Sequence, residues 1–250
     1  MPRILLLVLL AGCGNGSDSQ TTPAVPASTT TVPAALAERP LRIMPLGDSI
    51  TQADSEHDSY RRPLFKNLEL EGRSVDFVGS LSSNYRGGPP RRDFDLDHEG
   101  HWGWRVDEIL EEVGRWVLEE EPDVLLVHLG SNDVFQDQGV SSTLDELSRL
   151  IDVVRDARPD AAFLIAQIIP TSNASRNRTL RELNTGIASL ESKSTERSKV
   201  RIVDHFTGFD PARMTYDGVH PNPEGEIHMA ERWLEGLAAL ERHVDESERR

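Results

Sequence analysis

Three short polar clusters carry side chains suited to acyl-transfer chemistry. In "MPLGDSIT", Met44 to Thr51, an apolar run stops at Gly47 and hands out Asp48, Ser49 and Thr51. In "VHLGSNDV", Val127 to Val134, a second apolar run breaks at Gly130 into Asn132 and Asp133. In "YDGVHPNPEGEIHMAERW", Asp217 precedes His220 across a turn at Gly218. A hydrolytic serine needs a base to accept its proton, and the base needs an acceptor that fixes its tautomer and stabilises the imidazolium. Ser49, His220 and Asp217 can supply those roles. Taken singly, each cluster also reads as a strand-to-helix loop made of good turn residues.

Elements far apart in the chain must bring these clusters together. Apolar runs at Leu41–Leu46, Val75–Val78, Val124–Leu129, Ala162–Ile169 and Val200–Val203 predict five strands. Their near-continuous hydrophobicity suits strands covered on both faces, as in a parallel sheet. Between them, apolar residues recur at helical spacing: Val106, Ile109, Leu110, Val113 and Val117; then Leu144, Leu147, Ile151 and Val154; then Leu180, Leu183, Ile187 and Leu190. The last helix shows Ile227, Ala230, Trp233 or Leu234, Leu237 and Leu240. This alternation predicts an α/β fold, a three-layer doubly wound sandwich on a five-stranded parallel sheet. The flavodoxin-like order 2-1-3-4-5 sets the first and third strands side by side. Ligands of such sheets bind outside the strand C-termini at that switch point, which would bring Ser49 close to Asn132.

Together with "HEGHWGW" at His98 to Trp104, the order "GDSIT", "GSND", "DGVHPN" resembles the SGNH (GDSL) hydrolase family. It is most similar to the acetyl xylan esterases of the third carbohydrate-esterase family, with motif coverage from Met44 to about Trp233. The resemblance implies an SGNH hydrolase fold and a serine esterase acting on short-chain, acetyl-type esters of polysaccharide such as acetylated xylan. It implies Ser49 as nucleophile, with Asp217 and His220 completing a triad. It also implies an oxyanion hole from the Ser49 N–H, the Gly103 N–H and the Asn132 side-chain amide. Such donors act on charge that develops only in the tetrahedral intermediate. No metal and no organic cofactor is expected. Ser49 lacks a G-x-S-x-G elbow, which argues against the α/β-hydrolase fold. Two departures from the family pattern stand out. Trp102 takes a place expected to hold a smaller residue, and Glu226 one where an aromatic is common.

Other residues have blander readings. "HEGH" is not H-E-x-x-H, so hydrogen bonds that order a loop are expected there instead of a metal site. Trp102 and Trp104 are candidate substrate-rim residues that could stack on sugar rings, with core packing as the alternative. Arg86 to Asp93, "RGGPPRRD", reads as an exposed loop. Asp48 and Asp133 are expected to organise turns, and His57, His128, His205 and His228 carry no specific signal.

The chain has 250 residues, with 42 Asp and Glu against 27 Lys and Arg, for a formal charge of −15. That balance argues against nucleic acid or an anionic membrane surface as a direct partner and leaves neutral, acylated carbohydrate permitted. "MPRILLLVLLAGC" is too short to span a bilayer and reads as a secretory leader, residues 1–13. Leu10-Ala11-Gly12-Cys13 resembles a bacterial lipobox, which makes Cys13 the candidate lipidation site and predicts an exported, membrane-anchored lipoprotein, with a plainly cleaved leader and a secreted protein as the alternative. Cys13 is the sole cysteine, so no internal disulfide can form. Residues 14–39, rich in Ser, Thr, Pro and Ala, are expected to form a disordered linker. The hydrolase domain is assigned to residues 40–243, followed by a polar tail at 244–250. Two rival functions remain: a lipolytic esterase, thioesterase or lysophospholipase on the same fold, and a non-catalytic carbohydrate-binding or interaction protein.

Overall fold

The computed structural model describes residues 39–248, with side chains through Glu241. The expected leader, Cys13 and all but the last residue of the expected linker lie outside the described residues. From the start of the domain the elements run β1 (Leu41–Gly47), α1 (Ser49–Gln52), α2 (Arg61–Leu70), β2 (Val75–Phe77), β3 (Glu99–Gly100) and α3 (Val106–Glu120). Then come β4 (Val124–His128), α4 (Ser131–Phe135), α5 (Val140–Ala157), β5 (Ala162–Gln167), α6 (Ala174–Ser189), β6 (Val200–Asp204), α7 (Pro211–Met214) and α8 (Pro223–Glu248).

All strands pair in parallel, in the order β2-β1-β4-β5-β6, with β3 on β1. The five expected strands and their flavodoxin-like order are present. The sixth, β3, falls at Glu99–Gly100, where a loop was expected. Two polar-flanked residues carry no hydrophobic period, so only the pairings Leu46↔Glu99 and Gly47↔Gly100 define it. Because β4 occupies the other side of β1 from Ile43 to Gly47, β2 and β3 share one edge in succession.

Strand alternation sorts the core into two layers. Met44, Leu46, Leu125, Val127, Phe163 and Ile165 pack under α3, α5 and α6. Ile43, Leu126, Leu164 and Ala166 face the opposite way, under α2 and α8. Helix α2 has no counterpart among the expected helices. Pro63 and the charged Arg61, Arg62, Lys66 and Glu69 hide its signal, and its buried leucines are Leu64 and Leu68, while Leu70 is exposed.

Helix α8 corrects one expected face. Its buried line runs Glu226, Met229, Ala230, Trp233, Leu237 and Leu240, and Ile227 is 51% exposed. The 3- and 4-residue steps from Trp233 back toward the helix start land on Glu226, so geometry buries a carboxyl in preference to its aliphatic neighbour. The helix also continues through Glu248, past the expected domain boundary at 243.

Between the sheet and α8 lie two histidines that titrate against the fold. His128, the last residue of β4, and His205, just after β6, are fully buried, and neither ring nitrogen of either finds a hydrogen-bond partner among the described residues. Their rings stand 5.8 Å apart, and Trp233 meets His205 edge-on at 4.5 Å. Burial lowers His128 from its ordinary 6.5 to about 4, and burial followed by the neighbouring His128 holds His205 well below the ordinary range. The unfolded chain therefore binds protons first. The stability contributed by neutral His128 is complete above pH 6.5 and is lost as pH falls toward about 4, at most roughly 3 kcal/mol. Asp48, Asp133 and Glu226 are raised by burial and act with the opposite sign. The expected result is that chemical denaturation of wild type, compared with His128→Leu at pH 7 and pH 4.5, shows the wild type losing more stability than the variant. Equal losses would contradict the assignment.

Candidate active site

The C-terminal ends of β1, β3 and β4 lie side by side, since Gly47 pairs with both Gly100 and His128. Each end delivers one part of the site. At β1 the chain turns directly into α1, whose N-cap Asp48 accepts a hydrogen bond from the Ile50 N–H at 2.9 Å. Such a cap is worth about 1 kcal/mol. A side chain at Gly47 would collide with Thr51 and with the His128 carbonyl, so the turn needs glycine. Ser49 opens α1 with its N–H unused by any acceptor among the described residues, as expected of a first helical position.

The third polar cluster reaches Ser49 from the loop before α8. His220 Nε2 lies 3.0 Å from Ser49 Oγ, and His220 Nδ1 lies 2.7 Å from Asp217 Oδ2. The other carboxylate oxygen, Asp217 Oδ1, accepts from the Val219 and His220 backbone N–H groups at 2.9 and 2.8 Å. Burial works to raise this carboxyl, but hydrogen bonds from the His220 backbone and ring and from Val219 outweigh it and hold it below the usual range. Ser49, His220 and Asp217 are thus in one hydrogen-bonded line.

After β3, the segment Trp102–Trp104 is pinned from two sides. Gln52 Oε1 accepts from the Trp102 N–H at 2.9 Å, Gln136 Nε2 donates to the Gly103 carbonyl at 3.0 Å, and Asn132 Nδ2 donates to the Trp104 carbonyl at 2.9 Å. The Gly103 N–H has no acceptor among the described residues. Gly103 sits at φ +83, and a Cβ there would touch nothing within 4 Å. Its backbone angle, and not crowding, is what calls for glycine. Asn132 enters from α4 after β4 and keeps a second amide hydrogen beyond the Trp104 bond.

Asp48 and Asp133 behave as turn organisers. Asp133 accepts from the Val106 N–H at the start of α3 at 3.3 Å. Burial pushes both carboxyls up to about 6. In "HEGH", His98 accepts from the Gly100 N–H at 2.9 Å and sits 3.2 Å from the Ser83 carbonyl, and His101 Nε2 lies 2.9 Å from Glu99. Among the described residues no three His, Cys, Asp or Glu side chains are grouped to hold a metal ion.

The two candidate rim tryptophans are otherwise engaged. Trp102 stacks on Tyr85 at 4.5 Å and on His220 at 4.8 Å, so its ring is not an open platform for a sugar. Trp104 stacks on His101 at 4.4 Å and packs against the core under α3. Neither position revealed this in sequence, because the partner rings lie elsewhere in the chain.

Several residues with no prior assignment shape the site. Arg61 is 1% exposed, and its guanidinium donates to the Thr51, Gln52 and Leu96 carbonyls and to Asn84 Oδ1. It fixes the C-terminal end of α1, where carbonyls favour a cation. Burial lowers it to about 10, still charged at neutral pH. The following Ala53 is held at φ 58, ψ 173. That region is nearly glycine-only and costs a side-chain-bearing residue of order 1–3 kcal/mol. A small pocket beside the nucleophile is lined in part by Ala53, His57, Tyr216, His220 and Glu226. Glu226 accepts from the Ser59 N–H at 3.1 Å, and burial and then nearby Asp58 push it up to about 7. His57 Nδ1 pairs with Asp54 at 2.8 Å, an Asp-x-x-His spacing identical to that of Asp217 and His220. That repeated spacing was the one sequence signal that could have pointed to it.

This fold brings a serine, an imidazole and N–H groups with no acceptor among the described residues to the switch point, the parts that nucleophilic acyl transfer requires. Residues 46–226 match the model of the GDSL-like lipase/acylhydrolase family, and the chain belongs to that family. Solved structures similar to it include a carbohydrate esterase family 3 protein from Talaromyces cellulolyticus (31% identity, 80% of this chain and 97% of that one, TM-score 0.72). Another is the family 3 carbohydrate esterase of Clostridium thermocellum (30% identity, 81% and 99%, TM-score 0.67). A third is an acetyl esterase mutant with acetate ion (31% identity, 82% and 99%, TM-score 0.73). The multidomain esterase of Ruminococcus flavefaciens is 28% identical over 221 residues, 79% of this chain but only 28% of that protein. The chain therefore spans less than a third of that relative's length.

Proposed function

We propose that the protein is a serine esterase that removes acetyl groups from carbohydrate. Ser49 Oγ attacks the ester carbonyl carbon while His220 Nε2 takes its proton, and Asp217 holds the imidazole with its Nδ1 protonated. The Ser49 N–H, the Gly103 N–H and the free hydrogen of the Asn132 amide donate to the resulting oxyanion. Collapse of the tetrahedral intermediate breaks the bond to the sugar oxygen, which leaves with the proton from His220. Water, deprotonated by His220, then attacks the acyl-enzyme, and acetate departs as Ser49 regains its proton.

One observation carries this reading: the unbroken line Ser49 Oγ–His220 Nε2, 3.0 Å, and His220 Nδ1–Asp217 Oδ2, 2.7 Å. The acetyl preference draws support from the acetate ion in the similar acetyl esterase structure and from the family 3 carbohydrate esterases. The small pocket beside Ser49, narrowed by Tyr216, Pro221 and Glu226, agrees with a short acyl group. A panel of acetylated xylan and p-nitrophenyl esters of increasing chain length tests it. Acetate release from xylan and a steep fall in rate beyond short acyl chains are the expected results. A preference for long chains would instead indicate a lipolytic enzyme on this scaffold.

A further inference from the structure

His220 lies within a stack of five rings that crosses the site. From one end, Tyr85 stacks on Trp102 (centroids 4.5 Å apart, planes 16°), Trp102 on His220 (4.8 Å, 19°), His220 on Tyr216 (5.6 Å, 16°) and Tyr216 on His57 (4.0 Å, 9°). These are offset-stacked separations. Trp102 and Tyr216 thus both stack on His220 in near-parallel planes.

Both ends of the stack return to one segment. The Tyr85 N–H donates to the Ala53 carbonyl at 2.9 Å, and the Arg86 guanidinium covers the outer face of Tyr85 at 4.9 Å. At the other end the Tyr216 hydroxyl donates to Asp54 Oδ2 at 3.1 Å, while Asp54 Oδ1 holds His57. The segment bearing Ala53, Asp54 and His57 continues directly from α1, with the Ala53 N–H bonded to the Ser49 carbonyl at 2.8 Å. The ring stack and the Ser49 backbone therefore share one frame.

We infer that the Trp102–His220–Tyr216 stack steadies the plane of the His220 imidazole and supports its positive charge, which makes Tyr216 a positioning residue for ester hydrolysis. This rests on the reading of His220 as the base. The imidazole turns about its Cβ–Cγ bond, and the hydrogen bonds to Ser49 and Asp217 restrain that turn at the ring edge. Rings stacked against the imidazole add resistance to tilting out of that line. The need is real at this place, since Asp217 is 42% exposed and the loop has little cover. In the reaction His220 becomes an imidazolium as it takes the Ser49 proton, and a cation within about 6 Å of an aromatic face is attracted by it. The two stacked rings thus favour the proton-transferred state over the resting one. Misplacement of a reacting group by about 1 Å costs on the order of 100-fold in rate.

The test uses the full chain with Tyr216→Leu, Tyr216→Phe and Ser49→Ala. It reads kcat and KM on p-nitrophenyl acetate, the rate of Ser49 labelling by a fluorophosphonate, and the thermal midpoint. Tyr216 is 41% exposed, so its replacement removes little core. Tyr216→Leu is expected to lower kcat about 10- to 100-fold with KM within about threefold, and to slow labelling in parallel. Tyr216→Phe, which keeps the ring and loses the Asp54 bond, is expected to restore both rates to within about threefold of wild type. The inference is overturned if Tyr216→Leu keeps its kcat, if KM rises with kcat unchanged, or if Phe is as poor as Leu. Retained activity in Ser49→Ala would overturn the reading of Ser49 as nucleophile with His220 as its base, and no ester hydrolysis by the wild type would overturn the esterase reading, both separate outcomes.

Discussion

Ser49→Ala is expected to lower kcat on p-nitrophenyl acetate by about 10⁴- to 10⁶-fold and to abolish fluorophosphonate labelling. The basis is geometric: alanine leaves His220 without the hydroxyl nucleophile it activates, and the backbone N–H groups of residues 49 and 103 stay in place. Residual hydrolysis above the uncatalysed rate would come from those donors and from binding alone, as in triads where the nucleophile is removed. Ser49 is 7% exposed, and losing one oxygen there opens little space, so the thermal midpoint should stay near that of wild type. A variant with more than a tenth of wild-type turnover would mean that another group attacks the ester.

Asp217→Asn should cost about 10⁴-fold in kcat while leaving the loop intact, and the reason is a single proton. Asp217 Oδ1 accepts the Val219 and His220 N–H bonds, and an asparagine carbonyl can accept them equally. At the other terminus of the side chain, a carboxylate that accepts from His220 Nδ1 becomes an amide that donates. His220 then carries its proton on Nε2, aimed at Ser49, and cannot act as base. Steady-state rates with the thermal midpoint measured alongside separate this from unfolding. A loss smaller than about tenfold would show that Asp217 serves the turn only.

The parts of this molecule that were readable in the chain are those whose cause is local. The strand runs at Leu41, Val124, Ala162 and Val200 announce themselves because residues buried on both faces cannot be polar. The turns at Gly47 and Gly130 are visible because each must end a buried strand, and the Asp217–His220 pair because a short turn can fold a carboxylate onto a neighbouring ring. Strand order followed from general rules on crossovers.

Other features were hidden for an equally physical reason. Strand β3 exists only as a pairing with Leu46 and Gly47, and Arg61 looks like any surface arginine until the Thr51, Gln52 and Leu96 carbonyls surround it. Ile227 and Glu226 exchange their expected places because the phase of α8 is set by Trp233 packing against the sheet, with hydropathy having no say in the matter.

The sequence by itself determined five strands of the sheet and its two-sided core, and marked Ser49, His220 and Asp217 as candidates, because burial period and turn chemistry act over a few residues. Only the tertiary structure decided that Trp102 and Tyr216 stack on His220, that Asp54 and His57 anchor Tyr216, and that a carboxyl is buried at Glu226. Those contacts join residues up to 167 positions apart, Ser59 with Glu226, and 162 for Asp54 with Tyr216. A pair separated so far leaves no pattern in the chain, since its geometry comes from where α1, β3 and the loop before α8 meet at the end of the sheet.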